Sequence, residues 1–193
     1  RAGLVEVSGD RDSLELTVAG QRIFLGEDFG IFGKQYTGLD RFSFAREVSE
    51  YVHGSAHETK SPKALDKLAE KIRLMEDSNG SLECLAKIKG LIAEEDIRAL
   101  FYIVCNACAG GGSVSLNREL SSVYPIKERN AALKAFKEEK HKLQSLDLAE
   151  VVTESSLFGE YTVLKLTDKG RMLYFEEDAE LFMEKPDKKE LIL

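Results

Sequence analysis

The clearest pattern of apolar and polar positions lies in the middle of the chain, between residues 94 and 109. Three acidic residues, Glu94–Asp96, stand where the positive end of a helix dipole would lie, and three glycines, Gly110–Gly112, end the pattern. Between them, apolar side chains recur at the spacing of one helix face: Ile97, Leu100, Phe101, Val104, Cys105 and Cys108. The pattern predicts a helix over 94–109.

After this helix the chain alternates between helical and extended patterns. We predict an extended piece over 113–116, a short helix over 116–124 and a longer, lysine-rich helix over 127–146. The period then changes to that of strands, over 148–153 and 161–166, with a polar loop between them. Thr167 or Asp168 caps a final short helix through Tyr174.

This order of elements is that of a winged helix, a three-helix helix-turn-helix core followed by a two-stranded wing. We therefore expect a mainly α-helical protein with small β wings, in which residues 94–175 form one winged-helix domain. The predicted core of that domain consists of Leu100, Phe101, Val104, Leu120, Leu133, Phe136, Val151 and Leu166.

The first 32 residues resemble the predicted wing. Residues 14–32 align without gaps on residues 164–182, and residues 3–7 resemble residues 147–151. Seven of the 19 pairs in the longer alignment are identical: Leu14/Leu164, Leu16/Leu166, Thr17/Thr167, Gly20/Gly170, Glu27/Glu177, Asp28/Asp178 and Phe32/Phe182.

We interpret this similarity as an internal repeat. Residues 1–32 are then the wing end of a truncated first winged helix, whose helices lie upstream of Arg1, and residues 94–175 belong to the second of two tandem copies. The alternative is that any strand–turn–helix segment shares some L-x-L-T similarity.

The segments that flank the predicted domain show no catalytic pattern. Amphipathic helices are predicted over 44–53, 63–76 and 82–92, so we expect residues 33–93 to be a helical linker region. Residues 176–193 alternate acidic and basic runs around Pro186. We expect them to be an acidic connector to a missing downstream domain.

Composition and length restrict the class of protein. The chain has 193 residues, of which 43% are hydrophobic and 32% charged, enough for one domain or two small ones and too apolar for a fully disordered protein. No apolar run approaches the roughly 18–20 residues that a membrane-spanning helix needs, and no signal-peptide pattern is present. We therefore expect a cytoplasmic protein that does not bind membranes.

The three cysteines favour a core role over chemistry. An odd number this small does not suit a disulfide framework and fits a reducing compartment. Cys105 and Cys108 have the C-x-x-C spacing of metal or redox sites, but both lie on the apolar stripe of the predicted helix. No second ligand pair accompanies them, so we predict reduced thiols in the core and no metal site.

Motifs for nucleotide chemistry are incomplete. Gly33 and Lys34 resemble the end of a Walker A loop, but Asp28 and Gln35 occupy the positions that require glycine and Ser or Thr. The tripeptide at residues 28–30 matches the kinase metal motif without the other kinase motifs. We predict no catalytic residue and no cofactor in these 193 residues.

One segment of this acidic chain is basic. The net charge is −7, yet residues 111–145 carry +3 while residues 146–193 carry −6. In a DNA-binding winged helix the third helix enters the major groove and the wing touches phosphate. The candidate contact residues for nucleic acid or another partner are therefore Lys127, Arg129, Lys134, Lys137, Lys140 and Lys142. Interspersed glutamates, together with Glu154 and Glu160 on the wing, would repel phosphate, so we expect DNA binding to be weak.

Three short runs resemble a known family. They are the run from Gly90 to Cys105, the L-K-L-T-D-K-G run that ends at Gly170, and the E-D-A-E-L-F run that ends at Phe182. These runs look like the region that precedes the nucleotide-binding core in a group of bacterial AAA+ ATPases. In that group a helical and winged-helix segment ends in an L-T-D-K-type turn and an acidic tail. The resemblance covers roughly residues 80–193.

The resemblance implies a non-catalytic regulatory or partner-binding segment of a larger ATPase. ATP and magnesium would then bind only in a domain beyond Leu193, because this chain has no Walker A or Walker B motif to which the family's nucleotide residues correspond. The implied partner is another protein or the ATPase domain itself, with oligomers formed through that domain. The alternative is a transcription regulator that uses its winged helix on DNA.

Overall fold

The computed structural model describes residues 5–7, 14–16, 37–56, 63–156 and 159–183. Contacts within the chain divide it into two units, Arg1–Tyr36 and Thr37–Leu193. In the first unit, strand β1 (Val5–Val7) pairs antiparallel with strand β2 (Leu14–Leu16). The remainder of the predicted first wing lies outside the described residues.

Four helices open the second unit. They are α1 (Arg41–Gly54), α2 (Ala64–Ser78), α3 (Glu83–Leu91) and α4 (Glu95–Ala109). All four helices predicted for this part of the chain are confirmed, with bounds shifted by a few residues. Helix α1 begins earlier than predicted because the carboxylate of Asp40 accepts a hydrogen bond from the backbone N–H of Ser43 (2.7 Å) and caps it.

Helix α4 is the centre of the second unit. Its side chains are buried without interruption from Arg98 to Cys105, as in a helix that other elements cover on all sides. Helices α1 and α2 supply part of that cover, since both pack on α4. Residues 37–93 therefore share one compact unit with residues 94–175.

The prediction of a single long helix over 127–146 is wrong. After strand β3 (Val114–Ser115) and helix α5 (Leu116–Val123), the structure has helix α6 (Ile126–Lys137), a bend, and the single turn α7 (Lys142–Ser145). Glu139 ends α6 in the left-handed region with a φ of 56°. Its N–H donates to the Phe136 carbonyl (3.2 Å), and the N–H of Lys140 donates to the Ala135 carbonyl (2.8 Å). This is a Schellman motif, which stops a helix, formed here without the usual glycine.

The predicted strands form a small antiparallel sheet. Strand β4 (Ala149–Ser156) pairs with β5 (Gly159–Leu166), and β5 also pairs with the two-residue strand β3. The strand order is β3–β5–β4, so β4 is an edge strand. The extended pieces predicted near 113–116, 148–153 and 161–166 are all confirmed.

The chain then continues into helix α8 (Asp168–Phe175) and a 3₁₀ helix over Glu176–Phe182, which we name the strap. Of the two predicted cap residues, Thr167 and not Asp168 caps α8: its hydroxyl oxygen accepts from the N–H of Gly170 (3.1 Å), and its hydroxyl donates to the Asp147 carbonyl (2.6 Å).

Six of the eight predicted core side chains are buried: Leu100, Phe101, Val104, Leu120, Phe136 and Leu166. The prediction is wrong for Leu133 and Val151, which are half-buried. Leu133 lies on α6, which packs mainly on α5, and Val151 lies on the edge strand β4. The second unit is thus mainly helical, with a small three-stranded sheet near its C-terminus.

Candidate partner-binding surface on helix α6

Helix α6 presents a lysine-bearing face to solvent. Lys127, Lys134 and Lys137 are exposed, and their spacing places them along one side of the helix. The exposed side chains of Asn130 and Ala131 lie between them. The face therefore combines a small, uncharged centre with positive charge at both ends. We call these five residues the α6 face.

The other three candidate residues lie elsewhere. Arg129 is half-buried, and its Nη1 donates to the hydroxyl oxygen of Ser121 on α5 (3.1 Å). Lys140 lies in the bend after α6, and Lys142 is the first residue of α7. The structure thus brings three of the six candidates onto one face and separates the rest from it.

Glu138 reduces the positive charge at one end of the α6 face. Its carboxylate lies 3.0 Å from the Nζ of Lys140 and 3.7 Å from the Nζ of Lys134. Lys127 and Lys137 form no ion pair with any residue that the structure describes. Exposed pairs of this kind contribute little to stability, so all these lysines are free to rearrange on contact with a partner.

A buried histidine fixes the bend where α6 ends. The ring of His141 stacks on Phe136, with centroids 3.7 Å apart and planes 14° apart. Its Nδ1 accepts a hydrogen bond from the N–H of Leu143 (3.3 Å), which caps α7. Burial lowers the pKa of His141 to about 4, so the ring is neutral at physiological pH. Sequence reasoning gave this residue no role.

The hairpin of β4 and β5 carries carboxylates. Glu154 accepts from Lys165 (2.9 Å), and a further hydrogen bond links it to the hydroxyl of Tyr161. These two hydrogen bonds, that of Lys165 first, lower the pKa of Glu154 and keep it ionised. Glu160 on β5 is exposed, and it pairs in register with Ser155, the residue after Glu154. The hairpin therefore offers phosphate more negative than positive charge.

The three cysteines are core residues, as predicted. Cys84, Cys105 and Cys108 are buried, and none of the three is in a disulfide. Burial raises the pKa of Cys84 to about 11 and that of Cys105 well above its usual value, so neither forms a reactive thiolate near neutral pH. Among the residues that the structure describes, no group of histidine, cysteine and acidic side chains is arranged to hold a metal ion.

Sequence reasoning missed a buried ion pair that joins α2 to α4. Arg98 donates to Glu76 through Nε (2.7 Å) and Nη2 (3.0 Å), and the hydroxyl of Tyr102 donates to the same carboxylate (2.9 Å). A signal for it exists, because Glu76 lies four residues after Ile72 and so falls on the apolar stripe of α2.

No protein-family model, curated protein or solved structure matches the chain. Among the described residues, no helix has the length and apolar character that crossing a bilayer requires.

Proposed function

We propose that residues 94–175 form a winged-helix module, extended on its N-terminal side by α1 to α3. The order of elements from α4 to α8 supports this proposal. So does the sheet order β3–β5–β4, in which the strand between the first two helices of the core pairs with the second strand of the hairpin. In this module α6 occupies the place of the helix that reads DNA in DNA-binding relatives of the fold.

We also propose that residues 1–32 contain the wing of another such module, the first of two tandem copies. In the first unit Val5 pairs with Leu16 and Val7 pairs with Leu14. The sequence alignment equates these pairs with Ala149–Leu166 and Val151–Leu164, and those are the pairs formed by β4 and β5. The two hairpins therefore have the same register of strand pairing. This agreement supports a repeat over chance similarity, because a shift of one residue in the pairing of a strand would turn every side chain of that strand to the opposite face.

The function that we propose is that of a non-catalytic, partner-binding segment of an AAA+ ATPase whose nucleotide-binding domain lies beyond Leu193. The observation that carries the partner-binding role is the α6 face, an exposed helix surface with a small centre and lysines at its ends. The ATPase part of the proposal rests on the resemblance of the three sequence runs. A surface of this kind binds through contact and charge, and needs no catalytic group. The partner is an acidic protein surface, and the ATPase domain of the same protein is the first candidate.

Specific DNA binding is the alternative function, and the same face favours it in part. Lys127, Lys134 and Lys137 would suit contacts with phosphate. The carboxylates of Glu138, Glu154 and Glu160 oppose it, because phosphate contacts supply most of the affinity of a protein for DNA. We therefore expect only non-specific binding, with a Kd on the order of 10⁻⁴ to 10⁻⁶ M at physiological salt.

The test is a binding titration of the 193-residue chain against the remainder of the parent protein, beginning after Leu193. The variant reverses two charges on the α6 face, Lys134→Glu with Lys137→Glu. The matched control makes the same net change on α1 and α3, Arg46→Glu with Lys89→Glu. We expect the α6 variant to weaken binding at least tenfold and the control to change it less than threefold.

A DNA titration with the same proteins separates the two functions. Nanomolar, sequence-selective binding of one duplex that Lys134→Glu with Lys137→Glu abolishes would replace the proposed function with the alternative. Equal weakening of protein binding by the α6 variant and by the control would show that net charge, and not this face, controls the interaction.

A further inference from the structure

A single arginine holds the strap against α1. The guanidinium of Arg41 lies 2.9 Å from the carboxylate of Glu177, 3.5 Å from Glu176 and 3.7 Å from Asp178. Its Nη1 also donates to the carbonyl of Phe175. Three consecutive carboxylates and the end of α8 therefore converge on one side chain near the start of α1.

Further contacts hold the two ends of the strap and the adjoining end of α8. At its start, Lys87 on α3 lies 2.5 Å from Glu176, and the hydroxyl of Tyr174 donates to the carbonyl of Arg41 (2.5 Å). At its end, the ring of Phe182 packs on Phe175 with centroids 4.3 Å apart. Phe182 also lies 5.9 Å from the ring of Phe42, which continues the aromatic contact onto α1.

The strap has structural features that favour local opening. Glu176 has a φ of 51°, so the backbone changes direction sharply where α8 ends. Seven residues of 3₁₀ helix are an unusually long run of a conformation with poor hydrogen-bond geometry. Only Ala179 is fully buried in the strap, and Leu181 is exposed. Of the carboxylates that Arg41 holds, those of Glu177 and Asp178 are exposed, whereas that of Glu176 is mostly buried. Ion pairs with exposed partners and few buried apolar contacts mark elements that open locally.

The strap also forms one wall of a cavity of about 520 Å³. Leu181 and Phe182 line it on this side, Gly111 and Ser113 line it from the loop between α4 and β3, and Arg171 lines it from α8. Movement of the strap away from α1 would remove that wall and uncover the buried ring of Phe175.

We infer that the strap is a hinged closure, which pivots at Glu176 and which Arg41 locks onto α1. In the closed state it covers the ring of Phe175, which is fully buried, and walls the cavity. In the open state that ring becomes accessible and the cavity loses one wall. This device does not depend on the proposed function, because the α6 face takes no part in it.

Hydrogen exchange measured by mass spectrometry tests the device in the 193-residue chain. Arg41→Gln removes the charge that holds the strap, and Arg46→Gln makes the same change at an exposed position on the same helix. We expect amides of residues 177–183 to exchange at least tenfold faster in Arg41→Gln and within twofold of the wild type in Arg46→Gln. Amides of α4 should keep their wild-type rates in both variants.

Two results would overturn the inference. Strap exchange within twofold of the wild type in Arg41→Gln would show that Arg41 is not the lock. Equal acceleration of the strap and of α4 would show that the strap does not open separately from the rest of the unit. If Arg41→Gln does not fold, wild-type protein in 1 M rather than 0.05 M salt replaces it. There we expect strap exchange at least threefold faster with α4 unchanged, and no selective acceleration would refute the lock.

Discussion

A Cβ added at Gly170 would lie 2.0 Å from the carbonyl oxygen of Leu148, so α8 contacts the chain just before β4 through bare backbone. The same carbonyl accepts the N–H of Thr167 (3.2 Å), and the Nζ of Lys169 donates to the carbonyl of Leu146 (2.7 Å). The L-T-D-K-G run therefore packs the start of α8, which follows β5, against the residues that precede β4. The resemblance to AAA+ ATPases rests partly on this run, which here performs a packing role.

Gly170→Ala should destabilise the second unit by about 3 kcal/mol, because the new methyl group collides with rigid backbone. Gly90→Ala is the matched control. Gly90 lies inside α3 with nothing within 4 Å of the added Cβ, so alanine should stabilise by about 0.5–1 kcal/mol. Urea denaturation measures both values. Similar free energies of unfolding for the two variants would contradict the close contact.

Arg98→Met should cost about 3–5 kcal/mol, because it leaves the buried carboxylate of Glu76 without its cation. Arg73→Met on the exposed face of α2 removes a pair with Glu95 and should cost less than about 1 kcal/mol. Equilibrium unfolding of the two variants gives the comparison. A small loss in Arg98→Met would indicate that α2 is not joined to α4 through this ion pair.

His141 should make the protein less stable in mild acid. The ring is neutral in the folded state because burial lowers its pKa to about 4, whereas the unfolded chain protonates near 6.5. The contribution of the neutral His141 ring to the free energy of unfolding is fully present above pH 6.5. It decreases by about 3 kcal/mol as the pH falls from 6.5 to 4, and it is constant below pH 4.

Free energies of unfolding at pH 7.5, 5.5 and 4.5 for the wild type and His141→Asn isolate this contribution from that of the carboxylates. Asparagine retains a side-chain acceptor for the cap and does not titrate. We expect a shallower loss of stability in the variant. Parallel pH profiles would show that His141 does not titrate in the window that its burial sets.

Elements with local signals were predictable from the sequence. Helix α4 has acidic residues at its start and glycines at its end, and the change of period after residue 146 located β4 and β5. The bend after α6 was not predictable by these means, because Glu139 adopts a conformation in which glycine is usual.

Contacts between distant segments were the other part that sequence reasoning could not supply. Arg41 and Glu177 are 136 residues apart, and Arg98 and Glu76 lie on separate helices. In the sequence Arg41, Glu177 and Arg98 look like ordinary surface charges, and of these four residues Glu76 alone carries a signal of burial. Of the six candidate residues, the three on the α6 face follow from helical spacing. The outlying positions of Arg129, Lys140 and Lys142 depend on tertiary packing and on the bend.

Magnesium-dependent phosphate release, measured side by side on this chain and on the longer parent protein that we propose, tests the proposed function most directly. The sequence contains no complete Walker A motif, so we expect no release above the buffer from the chain and turnover from the parent. A parent without turnover would contradict the assignment to an ATPase. Turnover by the 193-residue chain at the rate of the parent would contradict its role as a non-catalytic, partner-binding segment.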